Sequence, residues 1–312
     1  MNSFPLAGLD GYKSKTLSFK STRDGDINVD VAYPELPGDV ESSTVLLHYH
    51  GGFLAKTTAQ SSLEDAVDAY EWVLSSLPQI LDRKIGSVLL AGSSAGGYLA
   101  LATAATVKKQ PSALLLIYGM LDATFPRYTT PGANIFGKPL IDTTSILADL
   151  PIAKENDTRP VLSAYPMDPA NPIEDPRLTL ASALHIDAIY LDYMTGIEGL
   201  GRDIAKQGVE AIPQQHRNLF PLAFGDLKKL PRTLLLHGKN DSAVPVEPSI
   251  QAAEKLRVAG VQVSTEFPED GEHGFDVRVG DVDVEKSTGE NVPNFQSLRN
   301  AINFLQSAVE RT

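Results

Sequence analysis

The chain has 312 residues, no cysteine, 42% hydrophobic and 21% charged residues, and a formal net charge of −12. That acidic balance argues against non-specific binding to nucleic acid or anionic membranes, which needs a basic surface. The absence of cysteine excludes disulfides, thiolate zinc sites and cysteine nucleophiles.

The N-terminus, MNSFPLAGLDGYKS, has no basic region followed by an apolar run, so a secretory signal is not expected. Segments 15–20 and 27–33 alternate like antiparallel strands around the turn residues Asp24-Gly25-Asp26. Thr44–Tyr49 (TVLLHY) reads as a buried parallel strand. Leu63, Ala66, Val67, Tyr70, Val73, Leu74 and Leu77 recur at helical spacing, and Ser61 with Glu64 fits a capping box at the helix start. Val88–Ala91 reads as a strand, 96–109 as an alanine-rich helix stopped by Pro111, and Ala113–Tyr118 as a further strand. This succession predicts a parallel, right-handed βαβ series. From about 120 to 225 the rhythm is broken by prolines, as expected of a block inserted into one α/β domain comprising 1–119 and 226–312. The α/β pattern resumes with a strand at Thr233–His237, a helix at about 248–259, a strand at Val261–Phe267 and a final helix from about Asn294. No run approaches the roughly 18–20 apolar residues of a membrane helix, and a soluble cytoplasmic protein is expected.

The chemistry is carried by residues at strand ends. Gly92–Gly96 (GSSAG) matches G-x-S-x-G between a strand and a helix, where small residues permit the strained turn that lifts a serine above the sheet. Ser94 is the candidate nucleophile, since Ser93 would need glycine at position 91, which is alanine. A serine hydroxyl needs an adjacent base, and His273, on the glycine-flanked loop DGEHGFD after the strand 261–267, is the candidate. The base needs a carboxylate to hold its tautomer. Asp241 in HGKNDSAVP follows a strand and is preferred, with Asp270 and Glu272 as weaker alternatives. His237, at a strand end, is expected to pack or hydrogen-bond locally.

The motifs HGGF, GSSAGG, HGKND and EHGF, in this order, resemble the hormone-sensitive-lipase-like carboxylesterase branch of the α/β hydrolases. The resemblance implies an α/β-hydrolase fold and a Ser94-His273-Asp241 triad. It also implies an oxyanion hole from the backbone N–H groups of Gly51, Gly52 and Ala95, a structural His50, and a cap over residues 120–225. Aromatic residues Phe53, Phe136, Tyr165, Tyr190 and Tyr193 are candidates for the substrate pocket. The chain departs from the family at Phe53, which replaces the third glycine of HGGG, and at Ser93, which replaces an aspartate. It also has only eight residues, 54–61, where the family places a helix and a strand. A parallel crossover needs a dozen or more, so one strand and one helix are missing and a sheet edge is left open or repaired, for example by a homodimer. The expected activity is hydrolysis of a small-molecule carboxylic ester without cofactor or metal. The alternatives are an amide, thioester or lactone of a secondary metabolite as substrate, or an inactive relative that binds without cleaving.

Overall fold

The structure is a computed structural model and describes residues 11–23, 25–35, 42–52, 58–149, 152, 176–280, 282–285, 289 and 291–309. Phe53 and Tyr165 lie outside the described residues. Strands β1 (Tyr12–Thr22) and β2 (Gly25–Pro34) form a hairpin. Then follow β3 (Ser43–Tyr49), α1 (Ala59–Ser75), α2 (Leu77–Leu81), β4 (Ile85–Ser93), α3 (Ala95–Thr106) and β5 (Ala113–Ile117). Between β5 and β6 lie short helices: α4 (Pro126–Thr129), α5 (Thr144–Asp149), α6 (Pro176–Ile186), α7 (Tyr190–Thr195), α8 (Leu200–Gln207) and α9 (Pro221–Phe224). The chain closes with β6 (Thr233–Leu236), α10 (Glu247–Val258), β7 (Val263–Glu266) and α11 (Phe295–Val309).

The five strands β3-β4-β5-β6-β7 pair in that order, all parallel. The central strands β4, β5 and β6 carry continuous buried apolar runs because both sheet faces are covered there. The two-residue alternation of a strand then divides each run between two cores. Leu90, Leu114, Leu116 and Leu235 point to the face packed by α1, α3 and α10, where Tyr70, Leu101 and Leu256 meet them. Leu89, Leu115, Leu234 and Leu236 point to the opposite face, against Leu298 and Phe304 of α11.

The open edge has a concrete form. Among the described residues β3 pairs on one side only, with β4, while β1 and β2 pair only with each other. Leu46 on that edge strand is half exposed. The hairpin instead docks on α1, where Lys20 Nζ reaches Asp65 at 2.8 Å and Asp68 at 2.7 Å.

One local expectation fails. Helix α1 begins at Ala59 with Thr58 as N-cap, and no side chain caps it. Ser61 and Glu64 are therefore inside the helix, and the Glu64 carboxylate accepts from Gln60 Nε2 at 2.9 Å. Burial accounts for the earlier start: Ala59 is completely enclosed, so the apolar stripe begins before the capping-box pattern.

Candidate active site

The elbow between β4 and α3 is built from close backbone approaches. A Cβ on Gly92 would lie 2.0 Å from the Gly96 carbonyl oxygen, and one on Gly96 would lie 2.0 Å from the Tyr49 carbonyl oxygen. Only glycine fits either position. Between them Ser94 adopts φ 56° and ψ −120°, a conformation that L-residues rarely hold. It is pinned by its N–H to the Ile117 carbonyl at 2.9 Å and by its own carbonyl, which accepts from Met120 N at 3.1 Å. Ser94 is thereby held at the carboxyl end of the sheet with its side chain partly accessible.

The loops after β6 and β7 bring the two partners to it. His273 Nδ1 lies 2.7 Å from Asp241 Oδ2, and His273 Nε2 lies 3.2 Å from Ser94 Oγ. With Nδ1–H donating to the carboxylate, Nε2 is left as the acceptor of the serine hydroxyl. Asp241 is nearly fully enclosed, with a side-chain exposure of 1%. Burial pushes its carboxyl upward, but hydrogen bonds from His237 and His273, the nearby His273 charge and the Val244 N–H outweigh burial and hold it down at about 2. Its Oδ1 accepts from Ala243 N at 2.9 Å and Val244 N at 2.8 Å. The acid alternatives are not so placed. Glu272 turns to Ser242, whose N–H donates to it at 2.8 Å, and to the His273 N–H at 2.7 Å. Asp270 is exposed.

Two aromatic rings fix the imidazole. Tyr118, at the end of β5, lies 4.6 Å from the His273 ring and donates its hydroxyl to Asp276 Oδ1 at 2.7 Å. Phe136 stands edge-on at 6.1 Å, and its N–H donates to the Ser242 carbonyl at 3.0 Å.

Gly51 abuts the elbow: a Cβ there would lie 3.0 Å from Ser94 Cβ. Gly52 follows at φ 121°, and His50 Nδ1–H reaches the Gly51 carbonyl at 2.6 Å. Ala95 is the first residue of α3, so its N–H has no acceptor within the helix. A small apolar cavity of about 10 Å³ lies against Ala95, lined also by Tyr98, Met120, Ala123, Tyr190 and Met194. That is room for roughly one water-sized group. Of the aromatic pocket candidates Tyr190 lines this cavity, whereas Tyr98, Met120 and Met194 were not among the candidates. Tyr193 packs partly buried in the adjoining core. Tyr118, which no motif marks, was visible only as the last residue of an apolar strand. Among the described residues no group of three or more His, Cys, Asp or Glu converges as a metal site. None of the described helices is long and apolar enough to cross a membrane.

Residues 56–183 match a family model described as alpha/beta hydrolase fold. Among curated proteins, the non-reducing polyketide synthase ausA of Emericella nidulans is 26% identical over 272 residues, which is 79% of this chain and 10% of that protein. The chain thus spans about a tenth of the length of the curated relatives it matches. Among solved structures, carboxyl esterase 2 from the mycorrhizal fungus Tuber melanosporum is similar at a TM-score of 0.58. The identity is 14%, with 98% of this chain and 89% of that one covered. Esterase B from Lactobacillus rhamnosis is similar at a TM-score of 0.57 and 15% identity, with 96% and 86% covered.

Proposed function

The chain has the α/β-hydrolase fold, and from that premise we propose that it hydrolyses carboxylic esters through an acyl-enzyme on Ser94. The observation that carries the proposal is the continuous hydrogen-bonded line from Ser94 Oγ through His273 to Asp241. His273 Nε2 takes the hydroxyl proton as Ser94 Oγ bonds to the substrate carbonyl carbon. The ester C–O bond then breaks, and the alcohol leaves with the proton that His273 returns. Water repeats the sequence and frees the acid. The N–H groups of Gly51, Gly52 and Ala95 are the proposed oxyanion donors. Each such donor is worth about 2.7–4 kcal/mol of transition-state stabilisation.

The block 120–225 acts as the cap. The cavity of about 10 Å³ beside Ala95 favours small acyl groups. The enzyme works in the cytoplasm without cofactor, on small molecules. A second copy pairing at the open β3 edge is the proposed oligomer, read by sedimentation against Leu46→Lys, which should remain monomeric.

A second reading is favoured by the synthase relatives: thioester cleavage on a polyketide acyl chain by the same residues. Hydrolysis of p-nitrophenyl acetate and of an acyl N-acetylcysteamine thioester, each on wild type and Ser94→Ala, tests both. Ester turnover that disappears in Ser94→Ala supports the first reading, thioester turnover with inert esters replaces it with the second, and turnover of neither by folded protein contradicts both.

A further inference from the structure

One histidine stands next to the line without a part in the proposed reaction. His237 follows β6, four residues before Asp241, and is completely buried. Both its ring nitrogens are engaged. Nδ1 lies 2.7 Å from Ser249 Oγ on α10, and Nε2 lies 2.9 Å from the Val244 carbonyl oxygen. Nε2 also lies 3.3 Å from Asp241 Oδ2, the same oxygen that His273 contacts. A carbonyl can only accept, so Nε2 carries a hydrogen shared between Val244 and Asp241. In the neutral ring Nδ1 is then the acceptor, and the Ser249 hydroxyl donates to it.

We propose that His237, held in its Nε2–H tautomer by Ser249, is a positioning residue for the Asp241 carboxylate. Its kinetic consequences rest on the hydrolytic reading above, whereas its geometry does not. With His237 in place the carboxylate has four donors. Oδ1 has the N–H groups of Ala243 and Val244, and Oδ2 has His273 and His237. That set occupies its acceptor sites and fixes its plane. Ser249 closes the line from behind and is itself buried.

Removing the His237 N–H has two effects. The carboxylate loses one of two constraints on Oδ2 and can tilt, so His273 is aimed less well at Ser94. Its charge is also shared with one donor fewer, so it stabilises the imidazolium more strongly and moves the acid limb of the rate profile to higher pH. The other polar groups facing His273 are unchanged by the substitution. They are Ser94, Glu272 beside it, and Tyr118 with Asp276 behind it.

The test compares wild type, His237→Ala, His237→Gln and Ser249→Ala, using kcat/KM for p-nitrophenyl acetate between about pH 5 and 9. It adds nitrogen-15 spectra of the imidazoles of the wild type. His237→Ala is expected to lower kcat about 10- to 100-fold with KM little changed and to shift the acid limb up by about half a unit. Glutamine keeps an N–H near the Nε2 position, so His237→Gln restores most of the rate, and Ser249→Ala loses a few-fold. Should His237→Ala not fold, the glutamine and alanine variants at 237 and 249 still differ in the same sense from wild type, and the spectra stand alone. A proton found on His237 Nδ1 overturns the proposal whether or not any substrate is turned over. So does His237→Ala with wild-type kcat and acid limb, or a folded His237→Gln as slow as His237→Ala. An Nε2–H tautomer in a wild type that hydrolyses nothing supports the positioning bond and contradicts the hydrolytic reading alone.

Discussion

His237 and His185 are both almost completely buried, at 0% and 1% exposed, yet they sit in opposite surroundings. Around His237 every ring nitrogen has a partner, and the neighbouring Asp241 has four. Around His185, on the far side of the cavity, the rings of Tyr128 and Tyr190 pack at 5.4 and 5.6 Å. There His185 Nδ1, the Tyr128 hydroxyl and Arg127 Nη2 are buried without a hydrogen-bond partner among the described residues. Burial and the nearby Arg127 charge push His185 down to about 3. The two regions teach that burial alone does not mark a functional histidine. A chemical site surrounds its polar atoms with donors and acceptors, whereas the segment between β5 and β6 encloses His185 by aromatic packing and holds it neutral.

The comparison is broken most forcefully at Ser94. Ser94→Ala is expected to lower ester hydrolysis by about 10⁴-fold or more, while His185→Phe leaves kcat within a few-fold of wild type. A rate assay on both variants reads the contrast, and equal losses would erase it.

Acid stability separates the regions next. His185 stays neutral when folded but takes a proton when unfolded, so its contribution is fully present above about pH 6.5 and is lost as pH falls towards about 3. The full loss is on the order of 5 kcal/mol. Urea midpoints between pH 7 and 4 should fall in the wild type and fall much less in His185→Phe. Asp241 acts lower. Its folded carboxyl lies at about 2 against an ordinary 3.8, so its contribution of about 2 kcal/mol is present above the ordinary value and is lost as pH falls through about 2. Asp241→Asn should be flat across that lower window while keeping the loss between pH 6.5 and 4.

The smallest effect concerns the His185 surroundings alone. Tyr128→Phe removes a buried hydroxyl that has no partner among the described residues, so stability should be unchanged or raised by up to about 1 kcal/mol. A lowered urea midpoint would show that the hydroxyl is satisfied in solution.

The sequence made the site's skeleton legible for a physical reason. Gly92 is required by contact with the Gly96 carbonyl inside the elbow itself, so the G-x-S-x-G spacing is written locally, whereas Gly96 is required by the Tyr49 and His50 carbonyls at the end of β3. Asp241 was legible because it follows the apolar strand at Thr233–His237, and His273 because it lies on a glycine-flanked loop just after the strand 261–267. The central strands β4, β5 and β6 were equally plain, since burial on both faces leaves continuous apolar runs. What stayed hidden depends on contacts across the fold. His237 was read as hydrogen-bonding locally, and its Val244 contact is of that kind. Its bridge from Ser249 on α10 to Asp241 exists only once α10 packs on the sheet. The start of α1 was misplaced because Ser61 and Glu64 mimic a capping box, whereas the enclosure of Ala59 decides where the helix begins. The short segment after Phe53 did foretell that β3 would have no partner on its outer side among the described residues. The cavity lining was out of reach, because Met120 and Met194 lie more than seventy positions apart in the sequence and meet only in the folded chain.

The account stands or falls on whether Ser94 is activated by His273. Intact-mass measurement after treatment with a fluorophosphonate probe, on wild type, Ser94→Ala and His273→Ala, reads this without knowledge of the substrate. The account predicts one adduct on wild type, none on Ser94→Ala and labelling of His273→Ala slowed by orders of magnitude. A folded wild type that takes up no probe, or a His273→Ala variant labelled as fast as wild type, would contradict it.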